Sequence, residues 1–375
     1  MTPPVIDDDA ALRQLAAEFR DMAELALDIE GDGLFRYRSR LCTVQLATPA
    51  ETVVVDTLAA KDRTALAGLL GAMGPRKIVH DVSYDARLLA ENGVVLGNVF
   101  DTALAARYLG EPSTGLAALV AKRFGVELPK EQQQADWGVR PFTEEALAYL
   151  ASDVRHLLAL GEALEADVRA AGIEEEVREE NAYLLERALE DPPEPKPPWT
   201  RVKGREELSD AGLAVLREVA AVREEAARTW DVPPFKVTGN QQLLEMARRR
   251  PKSAGELGRI RGLGRGRVQR LTGRFLDAVR RGEAAGAVPE AEREQRPKPP
   301  PGERETRKKR QQALTAWRRA EAESRGVDTQ VVLPGHCLND LATRGAASIE
   351  DLRAIPGLGE CRITRYAPSL LEHAS

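Results

Sequence analysis

The sequence predicts an α/β domain built on a central sheet in its first half and two all-α helical bundles in its second half. Up to about residue 190, short runs of β-branched and apolar residues alternate with segments of helical spacing, as in domains where helices flank a sheet. Beyond that point no convincing strand pattern occurs, and the chain has helical patterns throughout. Two proline-rich stretches separate the three regions.

The elements of the first half follow from its apolar pattern. Strands are expected at residues 25–30, 41–47, 52–56 and 77–80. Helices are expected at residues 61–73, 84–92, 102–109, 116–124 and 144–164. The alternation predicts a central sheet with helices packed on it.

Two stretches have the composition of linkers and divide the chain into three bodies. The stretch 191–204 begins with DPPEPKPPW, in which five prolines exclude helix and favour an extended spacer. The stretch 284–307 is rich in Pro, Glu, Lys and Arg and has few apolar residues to bury. The predicted domains are therefore 1–190, 205–283 and 308–375.

The second and third bodies are related by an internal duplication. At a constant offset of 95 residues, Ile260-Arg-Gly-Leu-Gly264 aligns with Ile355-Pro-Gly-Leu-Gly359, and Ser253 aligns with Ser348. Leu243 and Leu257 align with leucines at the same offset. An ungapped register kept over these positions predicts two copies of one small helical domain.

Charge is divided unevenly between the two halves. Residues 1–190 contain 19 Lys and Arg against 33 Asp and Glu, a net charge of −14, whereas residues 191–375 contain 35 against 26, a net charge of +9. This asymmetry indicates an acidic or metal-using part joined to a part that binds a polyanion. Two solvated surfaces of different composition are the simpler alternative.

The composition argues against several classes of protein. No apolar run is long enough to cross a bilayer, so we expect no contact with a membrane. The acidic N-terminus lacks the basic start and apolar core of a signal peptide. Three cysteines, Cys42, Cys337 and Cys361, are too far apart to predict a disulfide framework or a zinc site. We expect a reducing, cytoplasmic location.

Asp28 and Glu30 are the first candidate catalytic residues. They lie two residues apart in the strand Leu25-Ala-Leu-Asp-Ile-Glu30, so both carboxylates point to one side of the sheet. Two acids side by side on an apolar strand repel each other, and burial raises that cost. A divalent cation would remove both penalties. The alternative is an exposed strand end with two solvated acids.

Three further residues extend the candidate site. Asp85 stands at a helix start just beyond a predicted strand. Tyr149 and Asp153 are four residues apart on a predicted helix, which puts the phenol and the carboxylate on one face. Taken singly, Asp85 is more often a helix-start acid and Tyr149 a half-buried core aromatic.

Together these residues resemble the three exonuclease motifs of the DEDD superfamily, whose fold is ribonuclease H-like. The motifs are Asp28-Ile-Glu30, Asp85 and Tyr149-Leu-Ala-Ser-Asp153. The tyrosine four residues before the last aspartate is typical of the DEDDy branch. Residues 41–46, residues 100–102, and Lys130 with residues 136–141 look like the corresponding stretches of the ribonuclease D family, and the resemblance covers about residues 10–170.

The resemblance implies a 3′→5′ exoribonuclease that works by a two-metal-ion mechanism. Asp28, Glu30, Asp85 and Asp153 would hold two Mg²⁺ or Mn²⁺ ions, and Tyr149 would orient or deprotonate the attacking water. The expected substrates are single-stranded RNA 3′ ends, tRNA precursors among them, and the expected products are nucleoside 5′-monophosphates.

The first helical repeat contains a basic glycine hairpin. Between Arg248 and Arg281 there are twelve basic residues and two acidic ones. Glycines in the hairpin let backbone N–H groups approach phosphate oxygens, and arginines beside them supply charge-assisted contacts. The candidate nucleic-acid-binding residues are Arg261, Gly262, Gly264, Arg265 and Arg267.

A tight helix–helix turn with solvated arginines is the alternative for this hairpin. That alternative is stronger for the second repeat, because its hairpin is less basic. Both repeats resemble the HRDC domain, and one exonuclease domain followed by two such modules is the ribonuclease D arrangement.

Two other functions remain possible on the sequence. The same metal chemistry hydrolyses DNA, so a 3′→5′ exodeoxyribonuclease is one alternative. A nucleic-acid-binding scaffold with an inactive nuclease fold is the other, and a missing carboxylate would favour it. All four carboxylates are present.

Overall fold

Six strands form a mixed sheet in the computed structural model, which describes residues 2–129, 132–190, 196–264, 266–292 and 300–375. The strands are β1 (Val5–Ile6), β2 (Glu24–Gly31), β3 (Leu41–Ala47), β4 (Thr52–Asp56), β5 (Arg76–Val79) and β6 (Val99–Asp101). They lie in the order β1-β4-β3-β2-β5-β6, with β3 antiparallel to both neighbours and the other pairs parallel. The predicted α/β class with a mixed sheet is confirmed.

Eight helices accompany the sheet in the described part of residues 2–190. They are α1 (Asp9–Phe19), α2 (Arg63–Leu70), α3 (Val82–Glu91), α4 (Thr102–Tyr108), α5 (Leu116–Phe124), α6 (Glu144–Arg155), α7 (Leu157–Ala171) and α8 (Glu174–Leu189). Alternate residues of β2 belong to different apolar clusters: Leu25 and Leu27 pack with α1 to α3, and Ala26 packs with α4, α5 and α7. This alternation is what presents one face of β2 to the site described below.

The helices of the second half follow the predicted all-α class. The first repeat contains α9 (Asp210–Trp230), α10 (Pro234–Val237), α11 (Asn240–Arg249), α12 (Ala254–Gly258) and α13 (Thr272–Ala285). The second repeat contains α14 (Pro301–Arg325), α15 (Thr329–Val332), α16 (Gly335–Arg344), α17 (Ile349–Arg353) and α18 (Glu360–Ala374). Residues 196–264, 266–292 and 300–375 contain helices and turns but no strand.

The duplicated positions have the same local structure in both repeats. Ser253 is the N-cap of α12 and accepts the backbone N–H of Glu256 at 3.2 Å, and Ser348 is the N-cap of α17 and accepts that of Asp351 at 3.1 Å. The aligned apolar residues are buried in both copies: Leu243 and Leu338, Leu257 and Leu352, Ile260 and Ile355, Leu263 and Leu358. One pattern of caps and core residues therefore builds both bundles.

The chain divides into two compact units that do not follow the order of the sequence. The first unit comprises Met1–Gly31, Leu41–Glu190 and Pro299–Ser375, and the second comprises Asp32–Arg40 and Asp191–Lys298. The second repeat therefore belongs to the same unit as the sheet. Of the two predicted linkers, residues 191–195 and 293–299 lie outside the described residues, and Trp199 is buried in the core of the second unit.

The segment between β2 and β3 is part of the second unit. Its Tyr37 hydroxyl donates to Glu224 Oε1 on α9 at 2.8 Å, and Arg36 Nη1 lies 3.2 Å from Asp231 Oδ2. Tyr37 also packs against the apolar core of the first repeat. The segment that connects β2 to β3 thus packs on the first helical repeat.

Within the described residues, no helix is both long enough and apolar enough to span a bilayer.

Candidate active site

The face of β2 that carries Asp28 and Glu30 is set by its pairing with β3. Asp28 lies opposite Gln45, and Glu30 lies opposite Thr43. Ile29 between them is 4% exposed and belongs to the core on the opposite face, while both acids are partly exposed. The predicted alternation is observed, and the two carboxylates point to one side.

Helix α6 brings a third carboxylate to this pair. Its N-terminus is capped by Thr143, whose side chain accepts the backbone N–H of Ala146. Asp153 lies three turns further on, and its carboxylate joins those of Asp28 and Glu30. One oxygen from each of the three carboxylates lies within 4.8 Å of the other two. Three converging carboxylates with hard oxygen donors suit a divalent cation such as Mg²⁺ or Mn²⁺.

Asp85 lies beside this group but more deeply. It is the fourth residue of α3, 6% exposed, and not part of the group of three carboxylates whose oxygen atoms converge. The N-terminus of α3 is fixed by Asp101, whose carboxylate accepts the backbone N–H groups of Asp81 at 2.9 Å and Val82 at 3.0 Å. The same carboxylate caps α4 through Ala103 N at 2.9 Å. One buried aspartate thus orients the helix that carries Asp85.

The carboxyl pKa values are raised first by burial and then, at Asp28, Glu30 and Asp85, by neighbouring negative charge. Burial raises the pKa of Asp28 to about 8 and that of Glu30 to about 9, and the charge of Asp153 adds to both shifts. Burial also raises the pKa of Asp153 to about 7. The pKa of Asp85 is raised well above its ordinary value by burial and then by the charges of Asp28 and Glu30. A bound cation would offset these penalties, so the donors fit a metal.

Tyr149 lies in the same site with its ring held by an aromatic neighbour. Trp137 stacks on it with ring centroids 5.7 Å apart and an interplanar angle of 28°. Burial, followed by the charges of Asp153 and Glu30, raises the pKa of Tyr149 far above that of free tyrosine. The phenol therefore keeps its proton and is suited to donate a hydrogen bond.

The loop that carries Trp137 is fastened to β4 by an arginine. Arg140 donates from Nε and Nη2 to the two oxygens of Asp56 at 2.5 and 2.7 Å, and from Nη1 to Trp137 O at 2.7 Å. Its guanidinium also lies 3.8 Å above the Phe142 ring. Burial raises the pKa of Asp56, but the hydrogen bond and charge of Arg140 outweigh it and lower that pKa. Lys130, from the same predicted stretch, lies outside the described residues.

The carboxylates open into a cavity of about 810 Å³. Its lining includes Asp28, Glu30, Tyr149 and Asp153, together with residues that the sequence did not single out: His80, Asp81, Arg107, Gln133 and Gln134. His80 and Asp81 directly follow β5. Functional sites of α/β folds often lie at the carboxyl ends of strands, so this position in the sequence could have marked both residues as candidates.

The glycine hairpin of the first repeat has exposed arginines. Gly262 has φ +95°, a left-handed conformation that favours glycine, and the carbonyl of Arg261 accepts a hydrogen bond from Gln242 Nε2 at 3.1 Å. Arg267 lies 4.2 Å above the Trp230 ring. Among the described residues neither Arg261 nor Arg267 has an ion-pair partner. Gly264 is also exposed, and Arg265 lies outside the described residues.

Comparison with known families agrees with this architecture. The family model described as 3'-5' exonuclease matches residues 3–169, and the HRDC domain model matches residues 212–279 and 307–373. The chain is thus a 3′→5′ exonuclease domain followed by two HRDC domains. Ribonuclease D of Pseudomonas paraeruginosa is 32% identical over 349 residues, which cover 91% of this chain and 89% of that protein. The chain belongs to the ribonuclease D family.

Other relatives agree. Ribonuclease D of Gluconacetobacter diazotrophicus is 32% identical over 306 residues, covering 80% of this chain and 77% of that protein. The crystal structure of Escherichia coli RNase D, an exoribonuclease involved in structured RNA processing, matches with a TM-score of 0.69 at 26% identity over 100% of this chain and 98% of that one. The catalytic core of RRP6 from Trypanosoma brucei matches with a TM-score of 0.66 at 27% identity, over 76% of this chain and 81% of that one.

Proposed function

We propose that this protein removes nucleotides one at a time from the 3′ ends of single-stranded RNA, tRNA precursors among them, and releases nucleoside 5′-monophosphates. The observation that carries the proposal is the convergence of the Asp28, Glu30 and Asp153 carboxylates within 4.8 Å in an open cavity. The family relationship supports RNA as the substrate. Because Cys42, Cys337 and Cys361 are all free, a reducing cytoplasm is the location we propose.

Two divalent ions, Mg²⁺ or Mn²⁺, would be held by Asp28, Glu30, Asp85 and Asp153. Such ions would lower the pKa of the attacking water and offset the charge that develops on the leaving 3′-oxygen. Asp28, Glu30 and Asp153 are the ligands that face the cavity, and Asp85 contributes from the buried side. In the hydrolysis, the water oxygen forms the new bond to phosphorus as the bond to the 3′-oxygen breaks.

Tyr149 would orient the attacking water through its hydroxyl group. Its ring stacks on Trp137. Its raised pKa disfavours the phenolate form, which Tyr149 would need in order to act as a base. The attacking water, its pKa lowered by the bound ions, would lose its proton to solvent water, and the leaving 3′-oxygen would take up a proton from solvent. Tyr149 is a catalytic residue on this proposal because it touches the reacting water.

The first HRDC domain would bind the RNA backbone through its glycine hairpin. Gly262 and Gly264 leave backbone atoms accessible, and Arg261 and Arg267 lie exposed beside them. Arg265 is the fifth residue of the proposed set. Phosphate contacts of this kind carry no sequence preference and weaken as salt rises.

The alternatives receive less support. The raised pKa values of the four carboxylates show that keeping them ionised in this site costs free energy. An inactive scaffold would have no need of such a group. A 3′→5′ exodeoxyribonuclease would need the same metal site, so the distinction lies in the substrate. The deciding experiment incubates the protein with 5′-labelled single-stranded RNA and DNA of one sequence in Mg²⁺. A ladder of RNA shortened from its 3′ end supports the proposal; degradation of DNA alone would overturn it.

A further inference from the structure

The glycine hairpin of the second HRDC domain contacts the exonuclease domain. Gly359 is the N-cap of α18, and the backbone N–H of Cys361 in its first turn donates to Glu179 Oε1 on α8 at 3.0 Å. The Cys361 thiol donates to Glu179 Oε2 at 2.7 Å. A Cβ atom at Gly357 would lie 2.7 Å from the ring of Tyr183 on α8. A carboxylate of the chain itself thus occupies a helix N-terminus, where anions bind favourably.

Arg362 lies at the centre of this contact and is 0% exposed. Its Nε donates to Val331 O at 3.0 Å, and its Nη2 donates to the hydroxyl oxygen of Tyr108 at 3.2 Å. Its Nη1 lies 3.8 Å from Glu179 Oε2. Burial of a guanidinium costs free energy unless its N–H groups find hydrogen-bond acceptors. The contact therefore requires these partners in this arrangement.

The internal repeat shows that this arginine has a counterpart in the first HRDC domain. At the offset of 95 residues Arg362 aligns with Arg267, which is exposed and stacks on Trp230. The two copies of one residue therefore have different surroundings. In the first copy the hairpin is open to a ligand, and in the second copy the exonuclease domain fills the corresponding position.

A continuous set of contacts leads from Arg362 to the metal site. Tyr108 is the last residue of α4, and Asp101 caps the first turn of that helix. Asp101 also accepts the backbone N–H groups that begin α3, the helix that carries Asp85. Arg107, next to Tyr108, lines the catalytic cavity. Because α4 is held at both ends, its position affects both the cavity wall and the start of α3.

We propose that Arg362 is a positioning residue for the nuclease reaction. Through its hydrogen bond to Tyr108, the second HRDC domain holds α4 and, through Asp101, α3 in the arrangement that the metal site requires. The hairpin of this domain binds the exonuclease domain in place of RNA. The inference rests on the proposed exoribonuclease function. It adds a residue that does not touch the substrate and that lies far from the candidate catalytic residues in the sequence.

The test uses full-length Tyr108→Phe, Arg362→Met and the double variant. Tyr108→Phe removes the hydroxyl that both Arg362 and Glu180 contact, and it stays informative even if Arg362→Met does not fold. The double variant separates the two contacts, because only a loss that acts through Arg362 is shared with Arg362→Met. Arg365→Gln is the matched control, because Arg365 also donates to α8, at Glu176 Oε1 and 2.6 Å, but does not contact α4. For each protein, kcat and KM on single-stranded RNA, the salt dependence of RNA binding and the Mg²⁺-induced rise in Tm are measured.

We expect Tyr108→Phe and Arg362→Met each to lower kcat by about 2- to 30-fold, the range of couplings carried through packed networks. KM and the salt slope should stay unchanged, and the double variant should be no worse than the more affected single variant. Arg365→Gln should resemble the wild type. Unchanged kcat in Tyr108→Phe, additive losses, or a shallower salt slope in Arg362→Met would each overturn the inference.

Failure of the proposed function has a different signature. In that case the wild-type protein itself would leave RNA intact in the same assay. The Mg²⁺-induced rise in Tm would then decide the inference without any turnover, because a displaced α3 weakens metal binding at Asp85. An equal rise in wild type and Tyr108→Phe would reject it.

Discussion

The indole of Trp137 stacks on the phenol of Tyr149 with ring centroids 5.7 Å apart, although the two residues come from a loop and from α6. The loop is in turn bound to β4 through Arg140 and Asp56. The position of the Tyr149 hydroxyl, which we propose to be catalytic, therefore depends on the ion pair between Arg140 and Asp56 of β4.

Arg140→Met should lower kcat by about 10- to 100-fold, because a small displacement of a catalytic group has effects of that size. The variant loses the hydrogen bonds to Asp56 and to Trp137 O, so Trp137 no longer holds the Tyr149 ring. Steady-state kinetics on single-stranded RNA measure the effect. Arg13→Met, which removes the more exposed ion pair with Asp62, is the control and should be neutral. Equal kinetics in the two variants would contradict the role of Arg140.

Tyr149→Phe should lower kcat by about tenfold or more while KM and Mg²⁺ affinity stay near the wild-type values. The change removes a hydroxyl that would act on the reacting water and leaves the stacking on Trp137 intact. Single-turnover rates and Mg²⁺ titration separate the two effects. A normal kcat would make Tyr149 a core aromatic and nothing more.

Asp28→Asn should reduce turnover by orders of magnitude without unfolding the protein, because it removes one ligand charge and keeps the shape of the side chain. EDTA should stop the wild-type enzyme in the same way, and Mg²⁺ or Mn²⁺ should restore it. Asp21→Asn, an exposed acid outside the cavity, should keep full activity. If Asp28→Asn keeps even a tenth of the wild-type rate at saturating Mg²⁺, Asp28 is not a ligand.

The metal-free protein should lose stability as pH rises from about 5 to 9. The folded-state pKa values of Asp28 and Glu30 are raised to about 8 and about 9, so the folded state binds these protons more tightly than the unfolded state does. Their contribution is therefore fully present below the unfolded pKa and is lost as pH passes through the folded values. Mg²⁺ should raise Tm more at pH 8.5 than at pH 6, because metal binding displaces protons.

Thermal melts against pH with and without Mg²⁺ check this prediction. Asp28→Asn should flatten the slope of the metal-free protein and melt at or above the wild type at pH 8.5, since it relieves a buried charge. A metal-free Tm that rises with pH across this window would mean that the carboxylates are not crowded in the absence of metal.

A double Arg261→Gln, Arg267→Gln variant should bind single-stranded RNA more weakly and with a shallower salt dependence. The expected change is roughly 0.7 log units of slope for each phosphate that the protein no longer neutralises. Arg280→Gln with Arg281→Gln removes the same charge from the same domain and is the control, because those arginines pair with Asp277 and Glu218. Identical slopes for the two double variants would leave the first hairpin without a role in RNA binding.

Local patterns predicted the strands and helices that carry the site. The strands at residues 41–47 and 52–56 have the predicted bounds, and the spacing of Asp28 and Glu30 defines their common face. The predicted helix at residues 144–164 is two helices, α6 and α7, which meet at His156. Strands β1 and β6 were not predicted, because two or three residues are too few for a pattern and pairing with longer neighbours fixes them.

Contacts between residues far apart in the chain could not be predicted from the sequence. The stacking of Trp137 on Tyr149 joins residues whose identities suggest only an aromatic core. Helix α8 was not among the predicted elements, since its sequence is dominated by charge, with four glutamates among its first six residues. Glu174 and Glu175 pair with Arg169 and Arg178 of the same domain. Glu176 and Glu179 instead contact Arg365 and Arg362, which the second HRDC domain brings to them.

The assignment of residues 32–40 to the unit of the first HRDC domain has a practical consequence for dissecting the enzyme. A fragment that ends near Glu190 would retain this loop but lack α9, so Tyr37 would lose both its hydrogen bond to Glu224 and its apolar surroundings. The same cut would uncover Glu176, which is 2% exposed in the whole chain. A cut near residue 190 would therefore expose surfaces of the exonuclease domain that both HRDC domains cover in the whole chain.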